Sequence, residues 1–156
     1  MSEHGDFHPL APAASLTFDH NRSYSGLGSP RMFVEFRSRG PAPRNEFLGR
    51  TPALVLVDSG SDVTMLPRRF ARPLRISLDE GAVETISGAG GAPVRCFPRV
   101  ELEARLCSGW VRLPVRFFAS ETRTGGLLGR AGAFEALRIA FDHSQALMYA
   151  APASSR

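Results

Sequence analysis

A short acidic segment directly follows a run of five apolar residues, Ala53–Val57. Residues 58–62 read Asp-Ser-Gly-Ser-Asp and place two carboxylates close together. A carboxylate at the end of a buried strand is costly unless its surroundings compensate the charge. Gly60 permits a tight turn or a close backbone approach, and Ser59 and Ser61 offer hydroxyl groups that can hold the loop. Two interpretations are open at this point: an Asx turn that closes a strand, or an aspartate that performs acid–base chemistry.

Two later segments also combine glycine with apolar residues. Residues 127–130 read Leu-Leu-Gly-Arg, and they precede Ala131–Leu137, the one segment with a convincing helical pattern, of about two turns. Between the two lies a glycine-rich stretch: Ile86, Ser87, Gly88, Ala89, Gly90 and Gly91. Its glycine spacing differs from that of a dinucleotide-binding loop, and no helical pattern follows it. We therefore do not expect a nucleotide site there.

The elements that must position these segments are predominantly β. The alternation of Met32, Val34 and Phe36 with their neighbours predicts a half-buried strand. The apolar run Ala53–Val57 predicts a strand that is covered on both faces. A short strand is also expected around Leu16–Phe18 in an otherwise loosely ordered N-terminal arm.

The second half contains the clearest hairpin of the sequence. Apolar residues alternate with polar ones over Val100–Leu106 and again over Val111–Phe117, and a Cys-Ser-Gly turn separates the two runs. Because Pro114 lacks an N–H, its strand is expected at an edge or with a bulge. Segments 138–141 and 146–150 predict a last pair of strands. Many short strands, one short helix and frequent Gly/Pro turns indicate an all-β fold, either a barrel or a sandwich.

Length and composition bound the class of protein. The 156 residues, 43% of them hydrophobic, suit a single globular domain. No apolar run approaches the roughly 20 residues that span a bilayer, and the N-terminus lacks the basic start and apolar stretch of a signal peptide. Cys96 and Cys107 are too few for a disulfide framework. We therefore expect a cytoplasmic protein with no membrane partner.

The net charge of +4 rests entirely on arginine, since the sequence contains no lysine. The one arginine cluster, over residues 68–75, is broken by Pro67 and Pro73, so it favours no nucleic-acid partner. The four histidines are scattered, and three of them lie within the first 30 residues. We therefore expect no metal site and no cofactor.

Taken in order, these segments resemble the retropepsin-like aspartic peptidases, the family that includes retroviral proteases and single-lobe bacterial relatives. In that family a hydrophobic strand ends in Asp-(Thr/Ser)-Gly-(Ala/Ser), a glycine-containing hairpin forms a flap, and a hydrophobic-hydrophobic-Gly-Arg segment precedes a short helix. The resemblance covers roughly residues 30–150. It implies a closed β-barrel lobe with one short C-terminal helix over residues 31–151, an N-terminal arm over residues 1–30 and a tail over residues 152–156.

The resemblance also implies a chemistry. Aspartic peptidases need two carboxylates about 3 Å apart, which share one proton because both cannot comfortably ionise. The ionised carboxylate activates a water molecule, and the protonated one hydrogen-bonds the scissile carbonyl. This chain has one Asp-Ser-Gly, so Asp58 of a second copy must complete the pair. The expected protein is a homodimeric aspartic endopeptidase acting on extended peptide or protein substrates.

Other roles follow from the same resemblance. Ser59 matches a residue whose hydroxyl bonds across the dimer, and Gly60 matches one whose carbonyl faces substrate. Asp62 and Arg130 match an ion pair beneath the site, so we expect Arg130→Ala to cost about 3–5 kcal/mol by the precedent of buried pairs. The remaining assignments are Ser61 to loop support, Ile86, Ser87, Gly88, Ala89, Gly90 and Gly91 to the flap, and Leu127, Leu128 and Gly129 to the segment before the helix.

Some features depart from the family pattern. Ala131 follows Arg130 where many relatives carry Asp or Asn, and the arm and the loop Gly40–Arg50 have no counterpart in the compact viral members. Segment 146–150 is a candidate to interleave with a partner chain, although Pro152 ends it early. The alternative to an active peptidase is a catalytically inactive retropepsin-like module that binds peptides or dimerises. A basic nucleic-acid-binding β-domain is a distant third.

Overall fold

The computed structural model describes residues 20–23, 26, 28–39, 49–107 and 109–153. Eleven strands, one α-helix and three short 3-10 helices occur within these residues. They are β1 (His20–Ser23), β2 (Arg31–Ser38), β3 (Arg50–Val57), β4 (Thr64–Leu66), β5 (Glu84–Ser87), β6 (Pro93–Cys96), β7 (Val100–Leu106), β8 (Gly109–Phe117), β9 (Gly126–Leu128), α1 (Ala133–Ala136), β10 (Leu137–Asp142) and β11 (Leu147–Pro152), with 3-10 helices at Arg68–Phe70, Glu80–Ala82 and Ala89–Gly91.

Six strands close into a barrel in the order β2-β3-β9-β4-β8-β7. The pairs β2–β3, β2–β7 and β7–β8 are antiparallel, whereas β3–β9 and β4–β8 are parallel. Alternate residues of each strand face inward and fill the interior with apolar side chains, because successive residues of a strand point to opposite faces. The predicted all-β closed barrel with one short helix is confirmed.

The first two barrel strands bury one face each. Val34 and Phe36 of β2 are fully buried, as the alternation predicted, while Phe33, directly before Val34, is 64% exposed. The prediction that β3 is covered on both faces is wrong. Its inward residues are buried, but Leu54 and Leu56 on the opposite face are only half-buried, because no second layer covers that side of the barrel within the described residues.

The predicted hairpin is the antiparallel pair β7–β8. Pro114 pairs with Glu101 of β7, and the pairing of β8 with β4 begins one residue later, at Val115. Pro114 therefore lies where β8 is still an edge strand, as predicted. Cys96 is buried in β6, but Cys107 lies in the turn after β7 with φ 52°, not in a strand.

The helix is shorter than the sequence pattern suggested. It spans Ala133–Ala136 rather than residues 131–137. Gly132 has φ 77°, outside the helical region, and Leu137 is already extended at φ −124° and ψ 143°. A backbone with positive φ before the helix and a strand directly after it leave room for a single turn only.

A three-stranded sheet in the order β1-β11-β10 stands apart from the barrel strands. The predicted last pair of strands is therefore confirmed as β10 and β11. β1 lies within residues 1–30, and β11 extends to Pro152. The expected division into an arm, a domain and a tail stays a prediction. Since β11 has both neighbours within its own chain, segment 146–150 is not available to interleave with a partner, which corrects that expectation. The expected strand at Leu16–Phe18 and most of the loop 40–50 lie outside the described residues.

Among the described residues, no helix has the length and apolar character needed to cross a membrane.

Candidate active site

Asp58 directly follows β3 at one edge of the barrel. Val57, the last residue of β3, pairs in parallel with Leu128, the last residue of β9. The backbone N–H of Asp58 then donates to the carbonyl of Leu128 at 3.1 Å. Because parallel strands end at the same edge of a sheet, β3 and β9 together deliver residues 58 and 129 to one place.

The carboxylate of Asp58 is held by its own loop. Gly60 donates its backbone N–H to Oδ1 of Asp58 at 2.9 Å, and Ser61 donates its N–H to the carbonyl of Asp58 at 3.2 Å. This is the geometry of an Asx turn. A Cβ at position 60 would lie 3.2 Å from Oδ1, so glycine gives this contact its room. The side chain of Asp58 is half-buried and keeps one oxygen oriented towards the loop.

The segment after β9 braces the acidic loop through its backbone. Arg130 donates its N–H to the carbonyl of Ser61 at 2.8 Å, and Ala131 donates to the carbonyl of Asp62 at 2.9 Å. The hydroxyl of Ser61 donates to the carbonyl of Val63 at 2.9 Å, which stiffens the same loop. Two chain segments nearly 70 residues apart in sequence thus form one unit.

Gly129 allows the two segments to approach closely. A Cβ at this position would lie 2.4 Å from the carbonyl carbon of Val63. The nearest atoms all belong to the backbone, so no side chain can rotate away to relieve the clash. The N–H of Gly129 donates at 3.1 Å to the hydroxyl of Thr64, which is fully buried. Sequence reasoning did not single out Thr64, since a buried threonine at the start of a strand carries no distinctive sequence signal.

Asp62 and Arg130 form an ion pair between Oδ1 and a terminal guanidinium nitrogen. The pair is not buried, because the side chains are 79% and 58% exposed respectively. The expected cost of 3–5 kcal/mol for Arg130→Ala therefore does not apply to this chain on its own. Exposed pairs contribute about 0–1 kcal/mol.

Ser59 and Gly60 are exposed at the tip of the turn. The roles that the family resemblance implies for them concern a second subunit and a substrate. Those roles stay predictions.

The glycine-rich stretch forms the tip of a hairpin, which we call the flap hairpin (residues 84–96). Strands β5 and β6 pair antiparallel, with Ile86 opposite Val94. At the tip, Gly88 donates its N–H to the carbonyl of Ala92 at 2.7 Å, while Gly90 and Gly91 have φ of 67° and 80°. These positive φ angles explain why the sequence places glycine there.

One face of the flap hairpin rests on the outer barrel wall. Ile86 and Val94, together with Leu127, pack against a small apolar cluster that is separate from the barrel core; its buried members are Met65, Cys96 and Phe118. Leu127 pairs with Leu56, two residues before Asp58. The hairpin and the acidic loop are thus linked through β9.

Arg116 lies under the base of the hairpin, and sequence reasoning missed it. Its Nη1 donates to Glu84 at 2.5 Å and to the carbonyl of Phe97 at 3.2 Å, and it lies 3.7 Å from Sγ of Cys96. Burial opposes the charged form, but the contacts with Glu84 and Cys96 outweigh it and raise the pKa of Arg116 above its ordinary value. In the sequence Arg116 is one of several polar residues that alternate with apolar neighbours over Val111–Phe117, and nothing there distinguishes it.

Two of the four arginines in the cluster at residues 68–75 make structural contacts. Arg68 forms ion pairs with Glu80 and Glu121, and Arg69 donates to the carbonyls of Arg123 and Thr124 at 3.0 and 2.6 Å. Two of its guanidinium groups therefore fasten neighbouring loops rather than forming an open basic patch.

No group of three or more histidine, cysteine, aspartate or glutamate side chains in the described part of the chain is arranged to hold a metal ion.

No protein-family model and no curated protein matches this sequence. Among solved structures, this chain is similar to an EIAV protease complexed with the inhibitor HBY-793, at 18% sequence identity and a TM-score of 0.44. The match covers 74% of this chain and 88% of that one.

Proposed function

We propose that this chain is one subunit of a homodimeric aspartic endopeptidase of the retropepsin-like type, with Asp58 as its catalytic residue. The supporting observation is the position of this carboxylate. It follows β3, which pairs in parallel with β9, and it is half-buried. One of its oxygens accepts the N–H of Gly60 in a loop braced by residues 129–131. A carboxylate held in this way needs little reorganisation when charge moves during a reaction.

The proposed reaction uses two copies of Asp58. One carboxylate takes a proton from a water molecule, whose oxygen attacks the carbonyl carbon of the peptide bond. The protonated carboxyl of the other subunit hydrogen-bonds the carbonyl oxygen, on which negative charge develops. The C–N bond then breaks as the carboxyl that took the proton from water gives it to the nitrogen. One water is consumed, a carboxylic acid and an amine are formed, and the pair again shares one proton.

In this proposal the substrate is an extended peptide between the acidic loop and the flap hairpin. A specific relation to the bacterial single-lobe members of the family stays a prediction from the sequence.

The alternative proposal is an inactive module of the same fold that binds peptides or dimerises. Two observations favour it. The contact between Gly60 and Asp58 is that of an ordinary Asx turn, and β11 has both edges occupied within its own chain, so the interleaved sheet expected at a dimer interface is not formed by that strand. This module would bind peptides with Asp58 intact or replaced.

Cleavage of a diverse unstructured peptide mixture between about pH 4 and 7 tests the proposal. We expect Asp58→Asn to lose at least about a hundredfold of the wild-type rate, since acid–base groups contribute that much or more. Asp79→Asn is the matched control, because Asp79 accepts the N–H of Gly81 in a turn of the same type. Equal rates for wild type and Asp58→Asn would overturn the proposal, and absence of cleavage by dimeric wild-type protein would favour the inactive module.

A further inference from the structure

The two strands of the flap hairpin are attached to the barrel in different ways. The strand β6 runs on into the barrel through backbone hydrogen bonds: Phe97 donates to the carbonyl of Phe117 at 2.9 Å, and Ala119 donates to the carbonyl of Arg95 at 3.0 Å. The end of β6 also forms an isolated bridge between Cys96 and Phe118. This side of the hairpin is a continuation of the sheet.

The strand β5 has a different attachment. Its first residue, Glu84, is bound to the barrel by the guanidinium of Arg116 at 2.5 Å. The same nitrogen of Arg116 donates to the carbonyl of Phe97 at 3.2 Å, directly after β6. One side chain therefore joins the start of the hairpin to its end and joins both to β8.

Arg116 is well placed for such a role. It pairs in parallel register with Met65, so the two side chains lie on the same face of the barrel wall. Met65 belongs to the apolar cluster on which the hairpin rests. The side chain of Arg116 is 20% exposed and that of Glu84 48% exposed, so their contact is partly shielded from water and stronger than a fully exposed pair.

We propose that Arg116 is a positioning residue that anchors the base of the flap hairpin to the barrel and thereby limits how far the hairpin lifts. Its consequence for catalysis rests on the proposed function, in which the hairpin covers the peptide substrate. A hairpin that is held at both strands pays less conformational entropy when it closes. Without the anchor, β5 keeps only its apolar contact through Ile86 and its pairing with β6.

Hydrogen exchange of the full-length protein without substrate tests the anchor directly, because it needs no peptidase activity. We expect exchange within residues 84–96 to accelerate roughly 3- to 10-fold in Arg116→Met, while exchange in β2 and β7 stays unchanged. Glu84→Gln removes the negative charge of the partner but keeps an oxygen that accepts a hydrogen bond, so the local acceleration should be smaller than in Arg116→Met. Because Glu84 is exposed, this variant should fold like wild type. Arg116→Lys, which keeps the charge but not the fork of donors, should fall between wild type and Arg116→Met.

Arg112→Met is the matched control, since Arg112 is exposed on the same strand and the same face as Arg116. It should leave the exchange of the hairpin as in wild type. Unchanged exchange in both Arg116→Met and Glu84→Gln would overturn the proposal. Equal acceleration throughout the barrel would also overturn it, because it would indicate a general stabilising role.

The kinetic consequence separates this proposal from the proposed function. If the chain cleaves peptides, we expect Arg116→Met to raise KM about 3- to 10-fold with kcat within about twofold of wild type. If the protein cleaves no peptide but the variants show the local change in exchange, the anchoring role of Arg116 stands and the proposed peptidase activity is refuted. If the protein cleaves peptides and Arg116→Met changes neither the kinetics nor the exchange, only the anchoring role of Arg116 is refuted.

Discussion

Asp58 and Asp79 make the same local contact. Each accepts at Oδ1 a hydrogen bond from the backbone N–H of the glycine two residues later, Gly60 or Gly81, at 2.9 Å in both cases. The Asx turn is therefore not what distinguishes a candidate catalytic aspartate in this chain. Asp79 simply caps the 3-10 helix Glu80–Ala82.

The difference lies in what surrounds each turn. Asp58 follows a barrel strand and donates its own N–H to Leu128 of the neighbouring β9. Its loop is joined to residues 130 and 131 by two further backbone hydrogen bonds. This long-range bracing gives Asp58 a fixed position relative to the barrel, and it is the reason for comparing Asp58→Asn with Asp79→Asn.

Gly129→Ala is expected to destabilise the fold by about 1–3 kcal/mol or more, because the added Cβ would meet the carbonyl carbon of Val63 at 2.4 Å. Backbone on both sides cannot move aside without disturbing the acidic loop. Gly109→Ala is the control, since a Cβ at that position meets nothing within 4 Å. Urea denaturation of the two variants measures the difference, and equal stabilities would show that residues 63 and 129 are not in close contact.

Phe36→Ala and Phe33→Ala compare two phenylalanines on the same strand. Phe36 is fully buried, so its truncation should cost about 3–5 kcal/mol. Phe33 is 64% exposed, and we expect a loss below about 1 kcal/mol there. Thermal and urea unfolding of both variants test the inside–outside assignment of β2. A large loss for Phe33→Ala would mean that another surface covers this side of the barrel.

Much of the fold could be predicted from the sequence because the alternation of apolar and polar residues in a strand is a local signal. The period of two in residues 32–36 and in the hairpin 100–117 identified which residues face the interior. The helix length was not accessible in the same way. Its limits depend on the positive φ of Gly132 and on the pairing of Leu137 with Pro152, and neither can be seen in the apolar pattern.

The candidate site could be predicted in part, because some of its segments also have local sequence patterns. The acidic loop and the Leu-Leu-Gly-Arg segment each have a local signature, but their hydrogen bonds join residues far apart in sequence. The contact of Arg116 with Glu84 spans 32 residues and leaves no local trace. The exposure of Asp62 and Arg130 likewise depends on tertiary structure, which is why the buried pair expected from the family resemblance differs from the pair that is present.

Arg130→Ala is expected to cost at most about 1 kcal/mol in a monomeric sample, because both side chains of the pair with Asp62 are well exposed. If a second subunit covers the ion pair, Arg130→Ala should weaken association of the subunits. The difference in stability between wild type and variant should then grow with protein concentration. Melting temperatures at several concentrations separate the two cases. A loss of several kcal/mol at every concentration would contradict the exposure described here. Arg99→Ala, at another exposed arginine, is the control.

Mixing subunits tests whether two copies of Asp58 act together. In the proposed enzyme a dimer with one Asp58→Asn subunit lacks half of its carboxylate pair, so it should be inactive. At a ninefold excess of Asp58→Asn over a fixed amount of wild type, random pairing leaves about one wild-type subunit in ten with a wild-type partner. We therefore expect peptide cleavage to fall about tenfold once the subunits have exchanged.

The same excess of Asp79→Asn should leave the rate undiminished, because that variant retains Asp58 and can form active pairs. Dilution gives an independent check, since the rate per subunit should fall as the dimer dissociates. If excess Asp58→Asn leaves cleavage unchanged under conditions where exchange between subunits has been demonstrated, one copy of Asp58 suffices. The shared-proton pair across a two-fold axis would then be refuted, even if Asp58 itself proved essential.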